Sequence, residues 1–423
     1  MKAAVKGRGY RLRKDCRLCG SRALRLILDM GWMPLAGEFP LARQVGREKR
    51  YPLRIFLCDR CLLVQVLDVV SPKILFRDYR YLSSVTSTLR GHFESLAGEY
   101  ARRSRAVADP FVVEIGSNDG VLLGPLKARG IRSLGVDPAA NVVRLAEERG
   151  LAVENAFFDE RTAARILERD GPASIITGSN VLAHIDDMES VLRGARRLLR
   201  PGGVFVMEVH YLPDLIRDLQ YDFFYHEHLC YYSLRALIPF LARHGLHVFD
   251  AVRFPIHSGS IRIYSRKSDR PVVGTGRLRA LLTLERRMRL GEVATYTRFA
   301  QKVQRHASRL RAELVALKSK GARIVGYGAP GRGNTLLNFC RIGVKELDYI
   351  VDASPNRHGR FTPGTHVRID PPGAMRKDPP DVALLLAWPY EKEVLSKEGW
   401  FLEGGGRFLV PLPELRWIAR PRK

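Results

Sequence analysis

No run of about 18 or more apolar residues occurs in the 423-residue chain, so no membrane-spanning helix is expected. The opening stretch MKAAVKGRGYRLRKDC is basic but lacks the apolar segment of a signal peptide, which places the chain in the cytoplasm, where thiols stay reduced. Acidic residues are in short supply, 44 Asp plus Glu against 70 Lys plus Arg, and the formal charge is +26. Such a balance favours polyanions. The basic residues, however, are scattered (RLRK at 11–14, RRSR at 102–105, RRMR at 286–289) and form no single motif with interleaved aromatics. They read as solvated faces, with no nucleic-acid partner expected. A phosphorylated small molecule would feel the same positive field.

The length exceeds one compact domain and implies two to four. With 46% apolar and 27% charged residues, the composition is that of a folded globular protein, neither disordered nor fibrous.

Cysteine is sparse, six in all, yet four fall into two CxxC pairs, Cys16-Arg-Leu-Cys19 and Cys58-Asp-Arg-Cys61. Each is the tight turn that lets two thiolates reach one tetrahedral Zn²⁺. The long segment between them must hold an insertion that carries PLAGEF. Four protein ligands would leave no open coordination position, so this zinc would be structural.

From Asp109 the pattern changes to strands alternating with helices. FVVEI (111–115) enters the turn GSNDG, SLGVDP (133–138) ends on an acidic residue, and ASIITGSNVLAHI (173–185) and GGVFVMEV (202–209) supply two more strands. Continuous apolar strands separated by helices imply a parallel doubly wound sheet with ligands at the carboxyl ends of its strands. Gly116 and Gly120 let backbone approach a ligand. Asp137, 21 residues after Gly116, stands where a carboxylate accepts ribose hydroxyls. The turn is not GxGxxG and shows no pyrophosphate cradle. With Glu114 before it and RPGG after it, this block resembles class I S-adenosylmethionine (SAM) methyltransferases more than dehydrogenases.

Amphipathic helices are expected between 276 and 320. Beyond them, RIVGYGAPGRGNTLLNF (323–339) repeats strand, Gly326-x-Gly328-x-x-Gly331 and helix, with a later strand ending at Asp352. In that context the glycines are either a phosphate cradle at a helix N-terminus or a tight turn without ligand.

YDFFYHEHLCYYS (221–233) concentrates histidine, glutamate, cysteine and tyrosine. Three readings are open: a metal site through His226, His228 and Cys230 on one extended face, an aromatic packing seam, or an active site. HExxH is absent, and His226 reads as structural, with Cys230 and Cys340 as buried bystanders.

Taken together, CRLCG, MPLAGEF, VVEIGSNDG, SNVLAHIDD, FFYHEHLCYYS, GYGAPGRGNTLLNF and IVDASPNRHGRFTPGTHV resemble the SAM-dependent sugar C-methyltransferases that act on nucleotide-linked ketodeoxysugars in antibiotic pathways. The resemblance spans nearly the whole chain. It implies a class I SAM methyltransferase sheet at 76–275, a zinc-binding domain at 1–75, a helical connector at 276–320 and a Rossmann-like domain at 321–423. Residue by residue, it implies a SAM pocket of Gly116, Asn118, Gly120, Asp137, Phe157, Phe158 and Asn180. It makes His228 the general base, with Tyr225 and Glu227 orienting or binding the sugar and His184 near the methyl. Tyr79, Tyr81, His257 and the glycines 326, 328 and 331 would face the nucleotide sugar. HSGS at 257–260 departs from the HGGS usual in the family, with Ser258 where a glycine is expected. Oligomeric state is left open, a monomer included.

Overall fold

The computed structural model describes residues 9–75, 82–84 and 86–420. Two long strands, β1 (Leu24–Pro34) and β2 (Arg50–Cys58), pair antiparallel with each other, and a short β3 (Val64–Val66) adds beside β2. The CxxC turns lie next to this sheet. Each closes in the same way: Gly20 donates to the Cys16 carbonyl and Leu62 to the Cys58 carbonyl, both at 2.9 Å. Gly20 and Leu62 adopt φ of 67° and 64°, the left-handed geometry that turns a chain back on itself.

A helix at Ser87–Arg103, capped by the Thr86 side chain on the Leu89 N–H, leads into the central sheet. Its strands are β4 (Phe111–Ile115), β5 (Arg132–Val136), β6 (Val153–Glu154), β7 (Ala173–Ser179) and β8 (Leu199–His210). All five residues of β4 are buried, as a strand covered by helices on both faces requires. Next comes β9 (Cys230–Tyr231), which leaves this sheet, and then β10 (Leu246–Phe254) and β11 (Ser260–Lys267), which return to it. The sheet order is β10-β11-β8-β7-β4-β5-β6, parallel from β6 to β8, with β10 and β11 antiparallel at the other edge. That is the class I methyltransferase arrangement. The apolar runs reveal the parallel strands, and the antiparallel edge is added by structure.

β9 is the strand that could not be read from local pattern. It pairs with β3, Cys230 opposite Gln65 and Tyr231 opposite Val64, so FFYHEHLCYY supplies an edge to the N-terminal sheet.

A 27-residue helix, Val293–Ser319, buries Phe299, Val303, Leu310 and Leu314 and leads into the C-terminal unit. There β12 (Ile324–Tyr327), β13 (Ile350–Val351), β14 (Ile369–Asp370), β15 (Val382–Leu385), β16 (Arg407–Val410) and β17 (Arg416–Ile418) form one sheet, order β14-β13-β12-β15-β16-β17, with only β17 antiparallel. One continuous core runs from Ile55 and Val64 of the N-terminal sheet through Tyr221 and Phe224 to Val303 and the C-terminal strands. Another joins Cys16, Leu18 and Cys58 to the central sheet. The N-terminal unit thus divides its apolar surface between both neighbours.

Among the described residues no helix is long and apolar enough to cross a membrane.

Candidate active site and metal centre

The four thiol sulfurs of Cys16, Cys19, Cys58 and Cys61 all lie within 4.8 Å of one another, with Cys16 to Cys61 at 3.4 Å and Cys19 to Cys58 at 3.6 Å. A tetrahedron of sulfurs about 2.3 Å from zinc has edges of ~3.8 Å, so the donor set fits Zn²⁺. Among the described residues these four cysteines are the one group with metal-ligand geometry. The alternative reading of His226, His228 and Cys230 as ligands is corrected here, because the segment is not extended. A 3-10 turn at Tyr221–Phe223 and a second turn before β9 send the two imidazoles apart: His226 Nε2 reaches the Pro52 carbonyl at 3.1 Å in the N-terminal sheet, while His228 lines the central cavity.

That cavity, about 1170 Å³, lies where the three units meet. It exceeds the ~300–1,000 Å³ of an ordinary single-ligand pocket and has room for a cofactor beside a substrate. On the central-sheet side it is lined by Gly116, Asn118, Asp137, Phe157, Phe158 and Asn180. Gly116 has φ 69°, and a Cβ there would come within 2.6 Å of Val181, so packing as well as ligand approach demands glycine. Gly120 sits below the surface, where a Cβ would meet Leu151 at 2.3 Å. The Asp137 carboxylate accepts the N–H groups of Asn118 and Ala139, both at 2.9 Å, and lines the cavity at the end of β5. Glu114 is buried behind this turn, and its carboxyl is raised well above the usual range by burial and then by Asp137 and Asp119. These residues present the glycine turn and ribose-side carboxylate that fit SAM.

Tyr225, Glu227 and His228 of YHEH line the same cavity. His228 Nδ1 lies 3.2 Å from the Phe223 carbonyl, which can only accept, so the neutral ring carries its proton there and Nε2 keeps its lone pair. The Tyr225 hydroxyl donates to that Nε2 at 2.8 Å. Burial, and then the nearby His184 and His210, hold the His228 pKa well below its ordinary value. His184 meets it edge-on at 4.8 Å between ring centres and is driven down to about 4 by burial. Glu227 also lines the cavity, and desolvation pushes it up to about 7. Its Oε1 lies against Gly37 of the PLAGEF loop, where a Cβ would approach to 3.2 Å. The insertion between the cysteine pairs therefore closes one side of the site.

His257 and Gly331 line the cavity too. Gly326 and Gly328 do not: Gly326 is packed against Ile350, and Gly328, with φ 85°, against Ala387. The carboxylate of Asp352, which follows β13, takes the N–H groups of Ala329 and Ser354 and pairs with Arg357, so it is spent on its own loop. Tyr79 and Tyr81 lie outside the described residues.

Sequence reasoning missed several cavity residues. Arg332 follows the last glycine of GYGAPG and forms an ion pair with Asp222 at 2.7 Å. His210 ends β8 and stacks on Phe223 at 3.9 Å. Ser354, Asn356, Arg357 and Arg360 come from the segment after β13. The available signal was placement, since each lies at the carboxyl end of a parallel strand or in the turn that follows one.

Residues 16–76 match the family described as a putative zinc binding domain, 89–250 a methyltransferase domain, and 255–413 the C-methyltransferase C-terminal domain. The chain is 34% identical over 411 residues to C-methyltransferase NovU of Streptomyces niveus, covering 96% of this chain and 97% of that one. It is also 34% identical over 98 residues to a ubiquinone biosynthesis O-methyltransferase of Methylobacterium sp., covering 22% of this chain and 38% of that one. Among solved structures, magnesium protoporphyrin IX methyltransferase from Synechocystis with bound SAM aligns with a TM-score of 0.33 at 12% identity, over 42% of this chain and 79% of that one.

Proposed function

Since the chain belongs to the C-methyltransferase family and is a SAM-dependent methyltransferase, we propose that it methylates a carbon of a nucleoside-diphosphate ketodeoxysugar through an enolate. The observation that carries this reading is the Tyr225–His228 pair, a neutral imidazole with a fixed tautomer in the cavity that the GSNDG turn also lines. A carbon becomes nucleophilic when a neighbouring ketone lets its proton leave. Nε2 of His228 is the base, and the Tyr225 oxygen in front of it relays: the phenol gives its proton to Nε2 as it takes the one from carbon. General-base catalysis of this kind contributes roughly 10²- to 10⁴-fold.

SAM, held by Gly116, Asn118, Asp137, Phe157, Phe158 and Asn180, supplies an electrophilic methyl group when bound. The chain's own work is to align carbon with methyl and to keep water out, and Phe158 and the PLAGEF loop serve the second. The nucleotide's negative charge suits the Arg357 and Arg360 side of the cavity. Zn²⁺ on the four thiolates has a structural role, holding the N-terminal sheet to which β9 is paired.

The test is solvent exchange. With a ketodeoxyhexose nucleotide, S-adenosylhomocysteine and deuterated water, the wild type incorporates deuterium beside the ketone, and His228→Asn and Tyr225→Phe do not. Exchange retained in His228→Asn would discard the base, and exchange retained in Tyr225→Phe alone would discard the relay.

A further inference from the structure

Neutral His228 is a weak base, and a carbon beside a ketone is a weak acid. The proton moves readily only if the oxygen that gains the electrons faces a positive charge or a donor already in place. Neither His210 nor His257 supplies the charge, and as a neutral ring each keeps a single N–H, a weaker donor than a cation. Burial and the nearby Arg332 hold His210 well below its ordinary value and His257 down to about 4, so both rings are neutral.

Arg332 is a cation fixed at the right depth. It is 8% exposed and lines the cavity. One edge of its guanidinium is occupied, with Nε and Nη2 donating to the Asp222 carboxylate at 2.7 and 2.9 Å. Trp388 Nε1 donates to the same carboxylate at 2.9 Å, and the guanidinium lies over the Trp388 ring at 4.5 Å and the Phe223 ring at 5.1 Å. Nη1 has no acceptor among the described residues. Phe223 also ties the cation to the base, since its ring is 4.4 Å from that of His228 and its carbonyl sets the imidazole tautomer. Phe223 thus touches both base and cation, and all three line the same cavity. Two other arginines of the cavity are engaged differently: Arg357 with Asp352, and Arg360 with the Phe39 carbonyl.

The geometry points to Arg332 as a catalytic residue whose Nη1–H binds the substrate's ketone oxygen and stabilises the enolate. The C–H electron pair becomes the new C=C bond, the carbonyl π pair moves to oxygen, and that oxygen accepts from Nη1 while the proton leaves toward Tyr225 and His228. Asp222 and Trp388 are positioning residues that leave only this nitrogen free. The assignment rests on the ketosugar reading above.

The same exchange assay, run with S-adenosylhomocysteine at saturating ketodeoxyhexose nucleotide, tests it. Arg332→Met is expected to slow deuterium incorporation about 10²- to 10³-fold, the loss typical of one oxyanion donor. Affinity for S-adenosylhomocysteine and for nucleoside diphosphate alone should stay at wild-type values, and Arg332→Lys should recover part of the rate. If the methionine leaves Asp222 buried without its partner and the chain unfolds, Asp222→Asn/Arg332→Met removes both charges and must show the same loss. Wild-type exchange in the Met variant would overturn the assignment. So would unchanged exchange with weakened nucleoside-diphosphate binding, which would put Arg332 on phosphate. A wild type that exchanges no ketosugar nucleotide would remove the ketosugar reading itself.

Discussion

Arg17, the residue after the first cysteine of the metal centre, donates from Nε to Asp186 Oδ1 at 2.8 Å, two positions after His184. Its side chain is fully buried, and Nη1 also reaches Gln65 Oε1 at 3.2 Å. Arg13 pairs with the same carboxylate at 3.3 Å, and Arg11 is bonded to it as well. The cysteine knuckle thereby holds the loop that carries His184 and lines the cofactor side of the cavity.

Arg17→Met should loosen that loop without emptying the metal site. We expect a stability loss of about 1–3 kcal/mol, moderated because Arg13 and Arg11 still face Asp186. Hydrogen exchange should rise at 180–187 while zinc content by mass spectrometry stays at that of the wild type.

Metal removal should reach the active site through β9. With the four sulfurs released, β2 and β3 lose their anchored ends, and the pairing of Cys230 and Tyr231 with β3 goes with them. A strong chelator is expected to lower the Tm and raise amide exchange across 223–231, and added Zn²⁺ to restore both. Unchanged protection there in metal-free protein would mean that the centre does not support the catalytic segment.

Ser258→Gly should stabilise the protein. Ser258 is held at φ 70°, and its hydroxyl is buried without a partner. Left-handed strain of about 1–3 kcal/mol outweighs the roughly 0.5–1 kcal/mol entropy cost of glycine, leaving a gain near 1 kcal/mol. A higher urea midpoint at constant m-value is the readout.

Acid should destabilise the fold from about pH 6.5 downward, before most carboxylates titrate. Burial holds His184, His226 and His257 to about 4 and His210 and His228 well below 6.5. Below the unfolded value the unfolded chain binds protons that the folded chain refuses. Stability due to these rings is therefore complete above pH 6.5 and falls as pH drops, by up to about 1.4 kcal/mol per pH unit for each. Glu227 works in the opposite sense: raised to about 7, it favours folding fully below pH 4.5, and that contribution is lost as pH rises to 7. Urea midpoints from pH 4 to 8 should fall toward acid, less steeply in His257→Asn. Glu227→Gln should gain on the wild type as pH rises through 4.5–7.

Much of the scaffold was legible because its signals are local. A CxxC turn needs only four residues to aim two thiols, and an apolar strand followed by a glycine turn and a helix positions Gly116 and Asp137 through neighbours within one βα unit. The glycines of GYGAPG left two readings open for the same reason. A strand and a tight turn account for Gly326 and Gly328, and Arg332 beside them lines the cavity.

From sequence alone came the two CxxC pairs, the parallel sheet and the Gly116 turn with Asp137, since each depends on residues close together in the chain. Tertiary structure decided the rest: that His226 and His228, two positions apart, serve different domains, that Cys230 and Tyr231 complete a sheet begun at Leu24, and that Arg332 meets Asp222 across 110 positions. Those pairings follow from how three units bury apolar faces that none can cover alone, and no short-range periodicity encodes them.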